Sequence, residues 1–512
     1  MEKKNFVQDA MQEVESLLKN AFAAAMQQGK LPENELPAFT VEIPAETTHG
    51  DFASNAAMVS ARTFRMAPVK IANILAECID CASARYIDRV EIAGPGFINF
   101  FVSDAWFASI VSGVLEAGEE YGRSDIGKGE KVMVEFVSAN PTGPMHMGNA
   151  RGGAIGDCLA AALDACGYDV TREFYINDAG NQIEKFGLSL EARYLQIYKG
   201  EDAVPFPEDG YHGEDIKERA QQYADEHGDC LLNLSEAERR QALVDFALPK
   251  NIEKLRTDLE KYRFTYDVWF PESTLHQSGA VKAVVDELTS RGMTYEKDGA
   301  IWYKATEFGG EKDEVLVRAN GNPTYFTADI AYHKNKFVDR HFDRVINVWG
   351  ADHHGHVARL KGAMDAIGLD GSKLDIVLMQ LVRLMKDGEP YRMSKRTGKS
   401  ITLSDLTDLV PIDAARFFFN MREPNSTLDF YLDLAVEESS QNPVYYVQYA
   451  HARICSLLRA KAEEGLTLEQ CDHENLALLT QPQELELIRH LAAFPSELDA
   501  AAKAYDPSKV TK

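Results

Sequence analysis

The chain has 512 residues, of which 45% are hydrophobic and 26% are charged, as in folded globular proteins rather than disordered or fibrous ones. The length suits about three domains, and no stretch approaches the roughly 18 consecutive apolar residues of a membrane-spanning helix, which excludes an integral membrane protein. The net charge of −26 argues against binding nucleic acid by bulk charge alone, while leaving room for local basic segments.

The first 121 residues are predicted to form a small α+β domain. Near the start, apolar residues recur with helical spacing, which indicates an amphipathic helix. These residues are Phe6, Met11, Val14, Leu17 and Leu18. Later, the segment VEIAGPGFINFF (90–101) sets a Gly-Pro-Gly turn between two short apolar runs, and this pattern predicts a β-hairpin.

The seven cysteines are too few and too scattered for a disulfide framework. The close pair Cys78 and Cys81 lacks a second pair that would complete a metal site. We therefore expect small core residues or free thiols in a reducing compartment. The first residues lack the long apolar core and cleavage site of a secretory signal peptide, so the sequence predicts a cytoplasmic protein.

Residues 122–410 are predicted to form a parallel α/β domain. After a polar connector (GRSDIGKGE, 122–130), strand-like and helical segments alternate from Val132 to about Leu409, which is typical of a parallel sheet covered by helices. Within this domain, residues 191–260 are acidic, helical and loop-rich, and we interpret them as an insertion. Residues 411–512 show helical segments and no convincing strand pattern, which predicts an all-α domain.

The segment 131–167 is a predicted strand–loop–helix unit. Its apolar run from Val132 to Val137 suits a buried parallel strand, a loop with Pro141 and Pro144 follows, and apolar residues then recur at helical spacing up to Gly167. Ligands of open α/β sheets bind at such a helix entrance, where unpaired N–H groups attract phosphate. Neither a P-loop nor a dinucleotide-binding motif is present, and a helix-capping loop with an incidental histidine is an alternative interpretation.

A second candidate phosphate site is the basic segment YRMSKRTGKS (391–400). A lysine and a glycine backbone near a triphosphate would offset negative charge as pyrophosphate leaves. Taken alone, the segment is also compatible with a solvated basic loop.

Together, His146-x-Gly148-Asn149 and Met393-Ser394-Lys395 resemble the two signature sequences of class I aminoacyl-tRNA synthetases. More narrowly, EFVSANPTGPMHMGNARGGAIGD and NPVYYVQYAHARI resemble the arginyl-tRNA synthetase family. Four further segments match that family's pattern in the same order, so the resemblance spans nearly the whole chain. They are HGDFASNAA, GPGFINF, YFTADIAYH and WGADHHGH.

The resemblance implies a Rossmann-like catalytic domain over 122–410, an N-terminal α+β domain over 1–121 that contacts tRNA, and a C-terminal helical anticodon-binding domain over 411–512 that looks incomplete. It implies an arginine–tRNA ligase of bacterial type. Such an enzyme activates L-arginine with ATP, releases pyrophosphate, and passes the arginyl group to the 3′-terminal adenosine of tRNA(Arg). Mg²⁺ would arrive with ATP, the protein would hold no metal of its own, and the chain would act as a monomer.

The resemblance also assigns the nucleotide site, with His146, Asn149 and Lys395 as the catalytic residues. The predicted ATP-binding residues are His146, Gly148, Asn149, Gly350, Asp352, His353, Met393, Ser394 and Lys395. The motif around the first signature comprises Ala139, Asn140, Pro141, Thr142, Gly143, Pro144, Met145, His146, Met147, Gly148 and Asn149.

The predicted arginine-binding residues are Glu135, Ser138, Asn140, Tyr325 and Asp329. A planar, permanently charged guanidinium is best bound by a carboxylate that accepts two hydrogen bonds. Tyr325 and Asp329 are four residues apart and would share one face of a helix. Without the family match, Asp329 would be interpreted as a surface or capping residue.

For tRNA, the resemblance assigns Tyr446, Tyr449 and Arg453, because stacking faces and cationic donors suit single-stranded RNA. The alternative is that these aromatic side chains pack in a core.

Two departures from the signatures stand out. Asn149 replaces the usual second histidine, so that position has no imidazolium to contribute, and Arg392 and Arg396 replace a lysine and a serine, which retains or increases charge. Two rival functions are a small-molecule nucleotidyltransferase with the same signature and an inactive tRNA-binding paralogue. The latter is disfavoured because His146, Gly148 and Lys395 are all present.

Overall fold

The computed structural model describes residues 4–391, 401–466 and 473–512. Their contacts divide the chain into two compact units. One comprises Met1–Ile126 and Arg459–Ala500, and the other comprises Gly127–Leu458 and Ala501–Lys512. The C-terminal residues are thus shared between the two units, and the three-domain boundaries drawn from the sequence stay predictions.

The first unit contains a four-stranded antiparallel sheet with strand order β1-β2-β4-β3 and helices packed on it. The predicted N-terminal helix and hairpin are both confirmed, since a buried stripe runs along α1 and β3 pairs with β4. The elements are α1 (Phe6–Gln27), β1 (Val41–Glu42), β2 (Phe52–Ser54), α2 (Ala56–Phe64), α3 (Pro68–Cys78), β3 (Ile87–Ala93), β4 (Phe97–Val102) and α4 (Asp104–Ala117).

The next elements along the chain, all in the second unit, are β5 (Lys131–Glu135), α5 (Met147–Ala165), β6 (Asp169–Ile176), α6 (Asn181–Lys199), α7 (Glu214–His227), α8 (Glu236–Lys261), β7 (Val268–Pro271), α9 (Ser273–Gln277), α10 (Ala280–Ser290), β8 (Thr294–Lys297), β9 (Ala300–Tyr303), β10 (Glu314–Val317), α11 (Tyr325–Lys334), β11 (Arg344–Gly350), α12 (His354–Ala366), β12 (Leu374–Met379), β13 (Val382–Lys386) and β14 (Glu389–Pro390). After these come α13 (Leu403–Leu409), α14 (Ile412–Asn420), β15 (Leu428–Tyr431), α15 (Leu432–Ala435), α16 (Pro443–Glu463), α17 (His473–Leu476), α18 (Pro482–Ala504) and α19 (Ser508–Thr511).

A five-stranded sheet with strand order β12-β11-β5-β6-β7 forms the centre of the second unit, and all four of its pairings are parallel. This confirms the predicted parallel α/β fold. The chain builds β6 and β7 on one side of β5 and then returns to place β11 and β12 on the other. The direction of winding therefore reverses between β5 and β11, and in open parallel sheets ligands bind in the crevice at the carboxyl ends of such a strand pair.

Three helices, α6 to α8, lie between β6 and β7 and pack around a hydrophobic cluster of their own that includes Phe186, Tyr194 and Leu243. Their span from 181 to 261 contains the segment interpreted as an insertion. The pairing of β6 directly with β7 shows that the helices leave the central sheet continuous.

The strand–loop–helix unit is confirmed, with one difference at the end of the strand. The strand β5 ends at Glu135, two residues before the predicted end, because Val137 and Ser138 adopt left-handed backbone with φ of 70° and 45°. Such conformations are strained for residues other than glycine. On the helix, a Cβ at Gly156 would collide with the side chain of Phe136, which directly follows β5, so only glycine allows α5 to pack this closely there.

The prediction that no strand follows residue 411 is wrong. Strand β15 pairs in parallel with β13, and its alternate residues Leu428 and Phe430 are buried. Four residues are too few for an alternating pattern to stand out between helices, and the strand depends on a partner more than 40 residues earlier in the chain. A second unpredicted feature is the antiparallel sheet with strand order β10-β9-β8.

None of the six cysteines within the described ranges forms a disulfide. Cys471, the seventh, lies outside those ranges. Among the helices of the described residues, none is both long enough and apolar enough to cross a membrane.

Candidate active site

A cavity of about 350 Å³ opens at the carboxyl ends of β5 and β11, where the winding reverses. We call it the acidic cavity, because the carboxylates of Glu135 and Asp329 line it. Other lining residues include Ser138, Tyr175, Asn177, Tyr325, His333, Trp349, Gly350, His353, His356 and Arg359. The structure therefore brings together residues predicted from three separate segments of the chain.

Asp329 lies in the middle of helix α11, one turn after Tyr325, so the predicted shared face is confirmed. Its Oδ2 atom accepts a hydrogen bond of 2.9 Å from Nε2 of His356. The Tyr325 side chain is 64% exposed at the rim of the cavity. Because Asp329 is neither at a helix terminus nor on an open surface, the interpretation as a capping residue does not hold.

Glu135, the last residue of β5, is buried and held from two sides. Its Oε2 atom lies 2.6 Å from Nζ of Lys336, and its Oε1 atom accepts a hydrogen bond of 2.9 Å from Oγ of Ser138. The Ser138 hydroxyl in turn accepts a bond from the backbone N–H of Tyr175. The carboxylate is thus fixed in place, and a cation inside the protein already balances its charge.

Lys336 was missed by the sequence analysis. It is completely buried, and it lies in a turn of π-helix, 335–339, that directly follows α11. Its ammonium group lies 3.3 Å from Oδ1 of Asn347 and 4.0 Å from the centre of the Tyr332 ring. A π-turn inside a helical segment is often found at a functional site, but it leaves no signal in the sequence.

Tyr175 was also missed. Its side chain lines the acidic cavity, and its hydroxyl is buried close to the carboxylates of Glu272 and Asp329. Burial raises the pKa of Tyr175 far above the ordinary value, and the nearby carboxylates of Glu272 and Asp329 add to the effect. The phenol therefore stays protonated and has a hydrogen to donate.

A second cavity of about 440 Å³ lies in front of helix α5, and we call it the signature cavity. It is lined by His146, Met147, Gly148, Val382, Arg383, Leu384, Met385, Pro390, Tyr391, Ile401 and Asp429. Tyr391 and Ile401 flank the predicted basic loop. Arg392, Met393, Ser394, Lys395 and Arg396 themselves lie outside the described residues.

The entrance of α5 is held by hydrogen bonds that leave the His146 side chain exposed. The backbone N–H of His146 donates a bond of 2.9 Å to Oδ1 of Asn149, so this amide closes the first turn of the helix. Backbone bonds join Met145 to Leu403 and Met147 to Ile401. Asn149 was predicted as a catalytic donor, and only its Nδ2 group remains to fill that role.

Other predicted residues lie at different depths. Within the motif, Pro141, Thr142 and Met145 are buried, whereas Asn140 is exposed and lines neither cavity. After β11, Gly350 and His353 line the acidic cavity, while Asp352 is exposed beside them.

Tyr446 and Tyr449 do not pack in a core, as the alternative interpretation would require. They are 61% and 50% exposed, and the guanidinium of Arg453 donates a hydrogen bond of 3.3 Å to the Tyr449 hydroxyl. In helix α16, all of which is described, Val444 is the only buried residue.

Within the described ranges, no group of three or more His, Cys, Asp and Glu side chains is placed to hold a metal ion.

Comparison with known proteins shows three family matches in chain order. The model described as "Arginyl tRNA synthetase N terminal domain" matches residues 12–102, "tRNA synthetases class I (R), catalytic domain" matches 110–430, and "DALR anticodon binding domain" matches 447–512. Two curated proteins named arginine–tRNA ligase, from Acetivibrio thermocellus and Caldanaerobacter subterraneus subsp. tengcongensis, are each 56% identical over 508 residues. Each alignment covers 99% of this chain and 90% of the relative.

Among solved structures, the arginyl-tRNA synthetase of Thermus thermophilus is similar in fold. Its TM-score is 0.68 at 20% identity, with 96% of this chain and 88% of that chain covered.

Proposed function

The chain belongs to the class I arginyl-tRNA synthetase family, and we infer that it is an arginine–tRNA ligase that joins L-arginine to tRNA(Arg) at the expense of ATP. The observation that carries this function is the acidic cavity at the carboxyl ends of β5 and β11, which offers carboxylates to a guanidinium. The signature cavity in front of α5 offers a separate site for the nucleotide. Two further properties stay predictions, namely that the protein acts as a monomer and that it is located in the cytoplasm.

The reaction needs no nucleophile from the protein. A carboxylate oxygen of arginine attacks the α-phosphorus of ATP, the bond to the β-phosphate oxygen breaks, and pyrophosphate leaves. A hydroxyl of the terminal adenosine of tRNA then attacks the arginyl carbonyl carbon, and AMP leaves. Catalysis must therefore come from positioning the two substrates and from donors aimed at the developing charge.

For arginine, we propose that Asp329 is the main counter-ion of the guanidinium and that Glu135 lies on its other side. Asp329 contributes more of the electrostatic attraction to the guanidinium, because Lys336 already balances the charge of Glu135. Tyr325 closes the rim of the cavity, and Ser138 and Asn140 are assigned to the remainder of the substrate. Placing carboxylates and a buried phenol in one cavity favours a planar cation over neutral side chains.

For ATP, we propose that His146, Gly148 and Asn149 contact the phosphates and ribose in the signature cavity. Gly350, Asp352 and His353 would bind from the end of β11. Met393, Ser394 and Lys395 are proposed to hold the leaving pyrophosphate, and the position of their neighbours Tyr391 and Ile401 in the cavity wall supports this. Mg²⁺ would arrive with ATP, bound through phosphate oxygens and water.

For tRNA, we propose that residues 1–121 contact the outer corner of the molecule and that residues 411–512 bind the anticodon. The family matches at 12–102 and 447–512 support this division. The exposed side chains of Tyr446, Tyr449 and Arg453 suit stacking on unpaired bases. A small-molecule nucleotidyltransferase would have no use for either flanking domain.

Charging of tRNA with each standard amino acid, together with pyrophosphate exchange into ATP with and without tRNA, tests this function. We expect arginine alone to be charged and exchange to require tRNA. Charging of another amino acid, or exchange without any dependence on arginine, would refute the proposal.

Gly148→Ala tests the nucleotide site. A Cβ at Gly148 would meet no atom within 4 Å, so the fold tolerates the added methyl group. Alanine is also a better helix former than glycine, which should stabilise α5 slightly. In the signature cavity the added methyl would crowd ATP, and we expect the KM for ATP to rise roughly tenfold. A tenfold change corresponds to about 1.4 kcal/mol, which lies within the roughly 1–3 kcal/mol that overpacking costs. The KM for arginine should change little.

A matched control is Gly355→Ala, which also adds a methyl to open space near the start of a helix but lines neither cavity. Both variants should have a melting temperature equal to or slightly above that of the wild type. An unchanged KM for ATP in Gly148→Ala would show that nucleotide binds elsewhere.

A further inference from the structure

Asp329 is the end of a chain of hydrogen bonds that runs from helix α11 through α12 to strand β10. His356 donates from Nε2 to Oδ2 of Asp329 at 2.9 Å. Arg359 lies three residues later on the same face of α12, and its Nε–H donates to Nδ1 of His356 at 2.8 Å. The other branch of the guanidinium donates from Nη1 to Oε1 of Glu314 at 2.8 Å.

This arrangement determines where the imidazole carries its hydrogen. The arginine side chain has only donors, so Nδ1 of His356 must be an acceptor without a hydrogen. The single ring hydrogen is then on Nε2, where it points at Asp329. A second proton on the ring would have to take the place of the bond from Arg359, and it would put two cations in contact.

We propose that Arg359 is a positioning residue that keeps His356 as the neutral Nε2–H tautomer, so that Asp329 presents its full negative charge to the guanidinium of the substrate. The proposal rests on the proposed function, in which Asp329 binds arginine. In this arrangement His356 orients the carboxylate with a neutral hydrogen bond and does not compete with the substrate as a cation.

A second histidine, His333, lies close to His356. His333, on α11, is buried, and burial lowers its pKa well below the ordinary value, so it stays neutral. Its Nδ1 donates to the backbone oxygen of Asp329, and its Nε2 accepts from Asn347. The titratable or charged groups that face His356 are Tyr325, Asp329 and His333 from α11, His353 from the turn after β11, Arg359 from α12 and, through Arg359, Glu314 from β10.

Removing Arg359 has a defined consequence. The imidazole would lie between two carboxylates, Asp329 and Glu314, with Nδ1 open to a proton, and histidine ordinarily titrates between pH 5 and 8. Once protonated, His356 would form an ion pair with Asp329, and the guanidinium of arginine would have to compete with it. The apparent affinity for arginine should then fall as the pH falls.

The experiment compares the dissociation constant and the KM for arginine between pH 5.5 and 8 in the wild type, Arg359→Gln and Arg359→Gln/His356→Gln. In Arg359→Gln we expect both constants to rise about tenfold from pH 8 to pH 5.5, and by less than about twofold in the wild type. The double variant cannot titrate at position 356. Its dissociation constant and KM for arginine should therefore be higher than those of the wild type but should not change with pH. Lys361→Gln, a cation on α12 that lines neither cavity, should match the wild type.

A second measurement uses the wild-type protein alone. Long-range ¹H–¹⁵N spectra of protein labelled with ¹⁵N-histidine, assigned by the signal lost in His356→Gln, should show the neutral Nε2–H tautomer from pH 5.5 to 8. An imidazolium signal in that range would overturn the proposal, even if Arg359→Gln does not fold.

The outcomes separate this inference from the proposed function. If wild-type protein charges tRNA with arginine but Arg359→Gln weakens arginine binding equally at every pH, Arg359 supports the fold and the inference is wrong. An equal rise in the KM for ATP would also show that Arg359 acts through the fold. If the wild type does not charge arginine at all, the proposed function itself fails.

Discussion

Asp329→Asn is expected to lower kcat/KM for arginine by roughly 30- to 4,000-fold, the equivalent of about 2–5 kcal/mol for loss of one partner of a buried charged pair. The substitution keeps the size of the side chain and removes the charge. Glu135 cannot replace it, because its carboxylate is already paired with Lys336 at 2.6 Å. The KM for ATP should remain close to the wild-type value, since the signature cavity is formed by other residues.

The matched control is Asp339→Asn in the turn of π-helix that follows α11. That carboxylate accepts a hydrogen bond from Asn335 on the exposed side and lines neither cavity. We expect wild-type kinetics from it. If Asp329→Asn weakened the binding of ATP and of arginine equally, Asp329 would be a structural residue and the assignment of the guanidinium site would be wrong.

Lys336→Met is expected to destabilise the second unit by about 3–5 kcal/mol, because it leaves Glu135 as an uncompensated buried charge. The ammonium group is fully buried and interacts with a carboxylate, an amide and an aromatic ring. The midpoint of denaturant unfolding, followed by tryptophan fluorescence, measures the effect. Trp269, Trp302 and Trp349 all belong to the second unit, so the signal reports mainly on it.

Adding Glu135→Gln to Lys336→Met separates stability from function. With both charges removed, no ion is left unpaired and most of the lost stability should return, as is usual when a buried pair is replaced by neutral groups. Arginine binding should be weaker in the double variant than in Lys336→Met, because the cavity has lost one carboxylate. A double variant that stays as unstable as Lys336→Met would mean that Lys336 contributes through packing and not through its charge.

The elements that carry local sequence patterns could be predicted. The hairpin of β3 and β4 has its own turn residues, α5 has a helical apolar stripe, and the shared face of Tyr325 and Asp329 follows from helical spacing. Each depends on residues close together in the chain, for which periodicity and turn chemistry are sufficient.

The parts that could not be predicted depend on distant contacts. Strand β15 exists because it pairs with β13, and Lys336 balances the charge of Glu135, 201 residues earlier, because a turn of π-helix places its ammonium group there. Tyr175 reaches the acidic cavity because β6 lies beside β5. No local pattern marks these residues, since a buried lysine or tyrosine looks like any other until its neighbours are known.

A crystal structure of the protein with L-arginine bound would test the proposed guanidinium site most directly. We expect the guanidinium in the acidic cavity, with nitrogen atoms about 2.7–2.9 Å from the carboxylate oxygens of Asp329 and the ring of Tyr325 at the rim. Arginine bound in another place, or an Asp329 side chain turned away from the ligand toward solvent, would contradict the proposed site.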